Sequence, residues 1–274
     1  MSNDSRIPDI AVTVTGWLVD RLMLGSGESV LEIAGGSGLL SLATAATGRP
    51  AMVICTDVDV AALETARESA DPEPRRDQPA IVFLAADMLR LPFRDAAFDA
   101  VVCRWGFMFA PDPKVPFHEA GRVLRPGGRL AFAVWGTPEQ NPWQSILDDT
   151  LTAFGVEDRT PQRNYGGMFG LADEPSLRTM LESAGFSAVE LDRVPLVRRY
   201  RDFDEYWSVE VDVGGKGFTQ LRDLSTADAE AFRGRLVDDL SRYLGAGGYE
   251  IPGVVIAVAA VAHRRGMQLG PESE

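Results

Sequence analysis

The sequence predicts a doubly wound α/β fold, a mostly parallel sheet with helices on both faces, and three observations predict it. Between Val30 and Trp135, apolar runs of strand length alternate with stretches of helical spacing, the pattern of successive βαβ units. A small-residue turn, Ala34-Gly35-Gly36-Ser37-Gly38, joins the first apolar run to a helix start. An acid, Asp57, ends the second run about twenty residues past those glycines, where a carboxylate is placed to accept hydrogen bonds from a ribose.

The elements follow in order. From Ile7 to Leu24, residues Ile10, Val14, Trp17, Leu18 and Leu22 share one helical face. Val30-Leu31-Glu32-Ile33 reads as a buried strand, and after the turn Leu39-Leu40-Ser41-Leu42-Ala43 opens a helix. Ala51 to Thr56 is the second strand, and Val60 to Ser69 a helix that Asp71-Pro72-Glu73-Pro74 stops. Strand Ala80 to Ala85, a loop through Asp87 to Ala97, strand Phe98 to Arg104, a helix around Pro116 to Leu124 and strand Gly128 to Trp135 follow. Arg125-Pro126-Gly127-Gly128 is a sharp helix-to-strand turn. Regularity is then lost from Gly136 to about Ala172. A helix from Asp173 to Ala184, a strand from Ser187 to Tyr200, an aromatic-rich stretch Phe203 to Trp207, a helix from Thr226 to Leu244 and a strand from Tyr249 to Ala262 complete the chain.

These pieces divide the chain into an N-terminal helix (1–28), a ligand-binding core (29–135), a first lid segment (136–172), a core helix and strand (173–200), a lid insertion (201–248) and a final strand and tail (249–274). The lid expectation is topological. Parallel strands aim their carboxyl ends at the ligand crevice, so segments that leave those ends lie over it.

Composition narrows the function. The 274 residues, 45% hydrophobic and 24% charged, suffice for a sizeable core. A formal net charge of −13 argues against nucleic acid and against anionic lipid as partners. Cys55 and Cys103 both fall in predicted buried strands with no partner at metal-ligand spacing. Reduced thiols, and with them a cytoplasmic location, are expected. The late apolar run Ile251 to Ala262 is too short to span a bilayer. Asp148-Asp149 and Asp238-Asp239 are neighbours on predicted helices and point to different faces, so no metal is expected.

Two ligands compete for the glycine turn. A dinucleotide wants G-x-G-x-x-G, and here the third glycine falls at Ser41. Glu32, just ahead of the turn, repels a pyrophosphate and favours a cationic nucleoside that carries an ammonium and a sulfonium. A βαβ turn with no ligand is the plain alternative.

The ordered motifs resemble those of the class I S-adenosylmethionine-dependent methyltransferases, specifically the type 11 group with its ubiquinone- and menaquinone-biosynthesis-like small-molecule enzymes. The pieces that carry the resemblance are Val30 to Gly38, Thr56-Asp57-Val58, Ala86-Asp87-Met88, Phe98 to Trp105, and Glu119 through Arg122-Val123-Leu124-Arg125-Pro126-Gly127-Gly128-Arg129-Leu130. The resemblance implies a Rossmann-like, seven-stranded, mostly parallel sheet whose last strand is antiparallel, with a helical lid built from insertions. It implies S-adenosyl-L-methionine as cofactor. Glu32, Ala34, Gly35, Gly36 and Gly38 would surround the methionine moiety, Asp57 the ribose and Val58 the adenine. Asp87 and Met88 would serve the adenine amine, and Cys103 and Arg104 the methionine amino end. Ala34 departs from the glycine common at its position, and costs of order a kcal/mol if that residue needs positive φ.

The implied reaction is in-line methyl transfer to O, N or C of a small, partly hydrophobic metabolite, quinone-like or specialised, catalysed mainly by proximity. The alternative is a protein of the same fold that binds the cofactor without transferring methyl, a cyclase-like catalyst or a regulator. No base is assigned. His118 reads as solvated or structural, and His263 falls at the end of the last strand away from the crevice. Trp105, Phe109, Tyr165, Phe169, Tyr206 and Trp207 are the candidate acceptor contacts, with Phe107 and Met108 beside them. Each has a plain alternative as a core aromatic. The sequence leaves assembly into a homo-oligomer open.

Overall fold

In the computed structural model the order of strands across the sheet, rather than their number, fixes where a ligand crevice can open. The structure describes residues 8–70, 79–156, 167–213, 221 and 224–263. Helix α1 (Pro8–Leu22) precedes β1 (Ser29–Ile33), α2 (Leu39–Ala46), β2 (Met52–Asp57), α3 (Val60–Ser69) and β3 (Ala80–Ala85). Then come β4 (Phe98–Arg104), α4 (Lys114–Val123), β5 (Leu124–Trp135), α5 (Pro142–Ala153), α6 (Glu174–Ser183) and β6 (Phe186–Tyr200). The short helix α7 (Phe203–Tyr206), α8 (Thr226–Leu240), β7 (Leu244–Gly245) and β8 (Gly248–Ala262) close the chain.

The sheet runs β3-β2-β1-β4-β5-β8-β6. Strands β1 to β5 are mutually parallel, β8 is antiparallel to β5 and to β6, and β6 therefore points the same way as β5. The Rossmann-like, mostly parallel sheet expected from the sequence is thus present. The two-residue β7, paired only with β8, adds an eighth strand to the expected seven. Strand order reverses between β1 and β4, so the crevice lies outside their carboxyl ends.

The strands are buried on both faces where helices cover them. Val101, Val102, Leu130, Ala131, Phe132 and Val134 are all inaccessible or nearly so. Helix α1 lies against β5, β8 and β4 and buries Ala11, Val14, Leu18 and Leu22. It is tied to β6 by Trp17 Nε1 donating to Asp192 Oδ2 at 3.2 Å and by Arg21 ion pairs to Glu190 and Asp192.

Three local features depart from the sequence reading. Arg125 to Gly128 does not separate α4 from β5 but bulges within the strand. Phe98 pairs with Leu124 and Ala100 with Arg129, and Gly127 sits at φ +82°. Within the stretch after Gly136, α5 forms a regular helix of 12 residues, with Pro142 in its first turn. The long helix ends at Leu240, followed by a single 3₁₀ turn at Ser241–Tyr243.

Both insertions leave carboxyl ends of parallel strands, β5 and β6, and they join each other. Helices α5 and α8 pack together, Phe154 meets Phe232 edge-on at 5.5 Å, and the Tyr206 hydroxyl donates to Trp143 O at 2.8 Å.

Candidate functional site

The turn after β1 closes onto the end of β2. Gly36 N–H donates to Asp57 Oδ2 at 2.8 Å and Asp59 N–H to Oδ1 at 2.9 Å, while Gly35 N–H donates to Thr56 O at 2.9 Å. With one backbone donor on each oxygen, the Asp57 carboxylate is held in place and keeps lone pairs for two more donors. Gly36 has φ +52°, and a Cβ built on it would meet no atom within 4 Å, so the turn faces open space there. Gly35 is the reverse, because a Cβ on it would collide with Cys55 Sγ and reach Glu32 Cδ at 3.0 Å. Gly38, at φ +72°, caps α2 where a Cβ would come within 2.9 Å of Ala66 Cβ.

Glu32 lies under this turn, not at its surface. It is 1% exposed, accepts a short hydrogen bond from Ser41 Oγ and has Gly35 directly above it. Burial pushes its carboxyl up to about 7, opposed by the Ser41 hydrogen bond and the Arg104 charge. The sequence reading set Glu32 against the ligand's ammonium; in the structure its carboxyl lies beneath the turn, hydrogen-bonded by Ser41.

Ala34 takes φ +54°, so the strain that a glycine would avoid is present. Its methyl would be 2.5 Å from a Cβ on Gly106, so the loops after β1 and β4 approach closely only because residue 106 has no side chain. Arg104 Nη1 donates to Thr15 Oγ1 at 2.6 Å and to Ala11 O at 3.3 Å, which fastens α1 to the end of β4. Desolvation lowers the pKa of this guanidinium and the Glu32 carboxyl opposes the shift. Cys103 is buried, its thiol pushed up to about 12 by desolvation. Val58 is 68% exposed beside Asp57. Asp87 is exposed with Oδ1 taking the Leu89 N–H at 2.9 Å, and Met88 is half-buried.

The candidate acceptor contacts separate into three groups. Trp105, Phe109 and Phe169 gather over the carboxyl ends of β4 and β5. The 3₁₀ turns Phe107–Phe109 and Gly167–Phe169 lie against each other, and Phe109 is 41% exposed. Trp105 adopts φ +59° and stacks on Trp135, with centroids 4.9 Å apart and planes 4° from parallel. The guanidinium of Arg104 stands 5.2 Å from the Trp105 ring centroid. The second group is core. Tyr206 is fully buried with its hydroxyl spent on Trp143 O, and Phe107 and Met108 are buried, Phe107 among Phe117 and Phe132. These side chains fill the interior instead of facing a ligand, because each has a full set of apolar neighbours. Trp207 belongs to the second layer, edge-on to Phe232 at 6.0 Å with the Arg233 guanidinium 5.2 Å from its ring centroid. Tyr165 lies outside the described residues.

His118 is exposed with Nδ1 2.7 Å from Lys114 O, and His263 Nε2 is 3.2 Å from Phe186 O at the opposite end of the sheet. Among the described residues no cluster of metal-ligating side chains occurs.

Three features escaped the sequence reading. Ser41, at the place of the missing third glycine, is the partner of Glu32. Trp135 ends a parallel strand, which by the crevice rule marks it as a site residue. A buried group joins Arg198, Tyr200 and Glu210. Arg198 Nε donates to Tyr200 Oη at 2.8 Å, both side chains bond Glu210 Oε1, and Arg198 covers the Trp143 ring at 4.0 Å. Burial dominates at Glu210 and raises its pKa despite the Arg198 charge.

Comparison with known proteins bears on this geometry. A family model described as a methyltransferase domain matches residues 31–132. The demethylmenaquinone methyltransferase of Mycobacterium sp. (strain JLS) is 31% identical over 176 residues, which cover 61% of this chain and 71% of that protein. The structure of the YcgJ protein from Bacillus subtilis superposes with a TM-score of 0.65 at 16% identity, covering 92% of this chain and 99% of that one. The structure of the [4+2]-cyclase SpnF superposes with a TM-score of 0.58 at 19% identity, covering 96% and 85%. At such identities the two structures speak for the fold alone.

Proposed function

The chain belongs to the class I S-adenosylmethionine-dependent methyltransferases, the family whose methyltransferase domain its residues 31–132 match, and on that footing we propose that it methylates a small, partly hydrophobic metabolite. The observation that carries the proposal is the turn between β1 and α2, open at Gly36 and hydrogen-bonded to a preset Asp57 carboxylate.

These residues fit the family's cofactor. Asp57 retains acceptor capacity for a ribose diol, and the open face at Gly36 admits close approach to backbone. Arg104 would lie near the zwitterionic methionine end with the buried Glu32 carboxyl beneath the turn, and Val58, Asp87 and Met88 would border the adenine. When bound, S-adenosylmethionine supplies a methyl group made electrophilic by a sulfonium. The chain's own contribution is to orient and to exclude water. Trp105, Phe109 and Phe169 would offer an apolar wall beside the cofactor, and the layer built from α5 and α8 would close over it as a lid. Transfer that neutralises charge gains from such an apolar, closed setting. No side chain is assigned as base, so the rate enhancement rests on proximity.

Incubation of the protein with methyl-labelled S-adenosylmethionine and a fractionated metabolite extract tests this reading. A labelled small molecule soluble in organic solvent is expected. Retained cofactor with no labelled product favours the second reading, a catalyst or regulator that uses the fold without methyl transfer, of which the [4+2]-cyclase neighbour is a structural example.

A further inference from the structure

We propose that the indole N–H of Trp105 is the hydrogen-bond donor that positions the methyl acceptor, through an oxygen atom of that acceptor; this rests on the methyltransferase reading above. Two costs meet at this residue. Its backbone is left-handed, a region a bulky aromatic residue rarely occupies, and its Nε1 is buried with no partner among the described residues. A phenylalanine would remove the orphan donor, and a glycine would remove the strain. The costs are borne at the carboxyl end of β4, beside the Ala34–Gly38 turn, where the sheet order reverses. Backbone strain at such a place is characteristic of ligand sites.

The other engaged indoles make the contrast. Trp17 Nε1 donates to Asp192 at 3.2 Å and Trp143 Nε1 to Asn141 Oδ1 at 3.1 Å. The Trp105 ring is also fixed. Trp135 stacks on it, Trp143 meets Trp135 at 4.9 Å, and Asn141 is anchored to Val254 through both N–H and C=O at 3.1 Å. Arg104 stands against the Trp105 ring. A donor held this firmly is pre-organised for a partner that arrives with the substrate.

Indole N–H only donates. It therefore suits a hydroxyl, enolate or carbonyl oxygen and offers nothing to a protonated amine. The acceptor class this selects is an oxygen-bearing molecule, and a donor on the nucleophilic oxygen also favours its ionised form.

The test is nuclear magnetic resonance of the full chain labelled with ¹⁵N at its five tryptophan indoles, with Trp105→Phe identifying the Trp105 signal. S-adenosylhomocysteine is added first, then 1,4-dihydroxynaphthalene as an oxygen-bearing probe. The expected result is a downfield shift of the Trp105 indole proton on addition of the probe, with the Trp17 and Trp143 signals unmoved. Trp105→Phe should bind S-adenosylhomocysteine as wild type does and the probe roughly five- to tenfold more weakly. The proposal is overturned if the Trp105 signal responds to S-adenosylhomocysteine alone, if the probe leaves it unchanged, or if Trp105→Phe binds the probe as tightly as wild type. Failure of S-adenosylhomocysteine to bind at all would instead remove the cofactor reading, and this proposal with it.

Discussion

Glu32 holds a proton that an exposed carboxyl would have released, because Ser41, Cys55 and the Arg104 guanidinium repay only part of its loss of water. The consequence has a definite sign. Its folded pKa, about 7, stands above the ordinary 4.5, so the folded chain binds this proton more tightly than the unfolded chain. Stability from this group is therefore highest in acid and falls as pH rises from about 4.5 through 7, by about 3 kcal/mol when fully developed. Glu32→Gln keeps a partner for Ser41 and removes the titration. Urea unfolding at pH 5 and pH 8 should show wild type losing more stability than Glu32→Gln across that interval, and equal losses would refute the assignment. Sequence alone marked Glu32 as important because an acid precedes the glycines. The buried strand around it was legible; that the carboxyl itself is sealed was not, because that depends on Gly35 and Cys55 closing over it. Ala34 was legible to the extent that its penalty was conditional on φ, and the structure supplies the condition.

At the scale of elements, the strands were readable because apolar runs between turn residues survive any tertiary context, and β3, β4 and α3 begin and end where the sequence reading puts them. Helix α5 was legible only at Asp148-Asp149, and its bounds were not. Its inward face includes the buried polar residues Gln144 and Thr150, which blur the apolar stripe, while Ser145, Asp148, Asp149 and Thr152 line the outer face. Tyr206 was misread for a related reason, since an aromatic cluster looks the same whether it faces a ligand or another layer. The Arg198–Tyr200–Glu210 group joins a strand end to the π-helical turn Trp207–Val213, a union that only tertiary structure reveals. Its partners are charged and buried, so removing one strands the other. Arg198→Met should cost roughly 3 kcal/mol or more. Arg199→Met, which breaks the exposed Arg199–Glu250 pair one residue along, should cost under about 1 kcal/mol. Denaturant unfolding of both variants separates them, and comparable losses would show that the buried group does not pin this layer to β6.

For the whole molecule, the parallel order of β1 to β5 and the direction of β6 place every segment of interest on one side of the sheet. The β1–α2 turn, Asp57, Trp105, Trp135 and both insertions leave carboxyl ends there. That convergence was legible from alternation and from the crevice rule, whereas the acceptor's chemistry was not, because it depends on which aromatics remain exposed after the two layers meet. The measurement closest to the central claim is calorimetric titration of S-adenosylhomocysteine into wild type, Asp57→Ala and Gly36→Val. Wild type should bind one equivalent. Loss of the Asp57 acceptor, or a branched side chain set at φ +52° into the open face of the turn, should each weaken binding by about tenfold or more. Equal affinity across all three proteins, or no binding to wild type, would contradict the account.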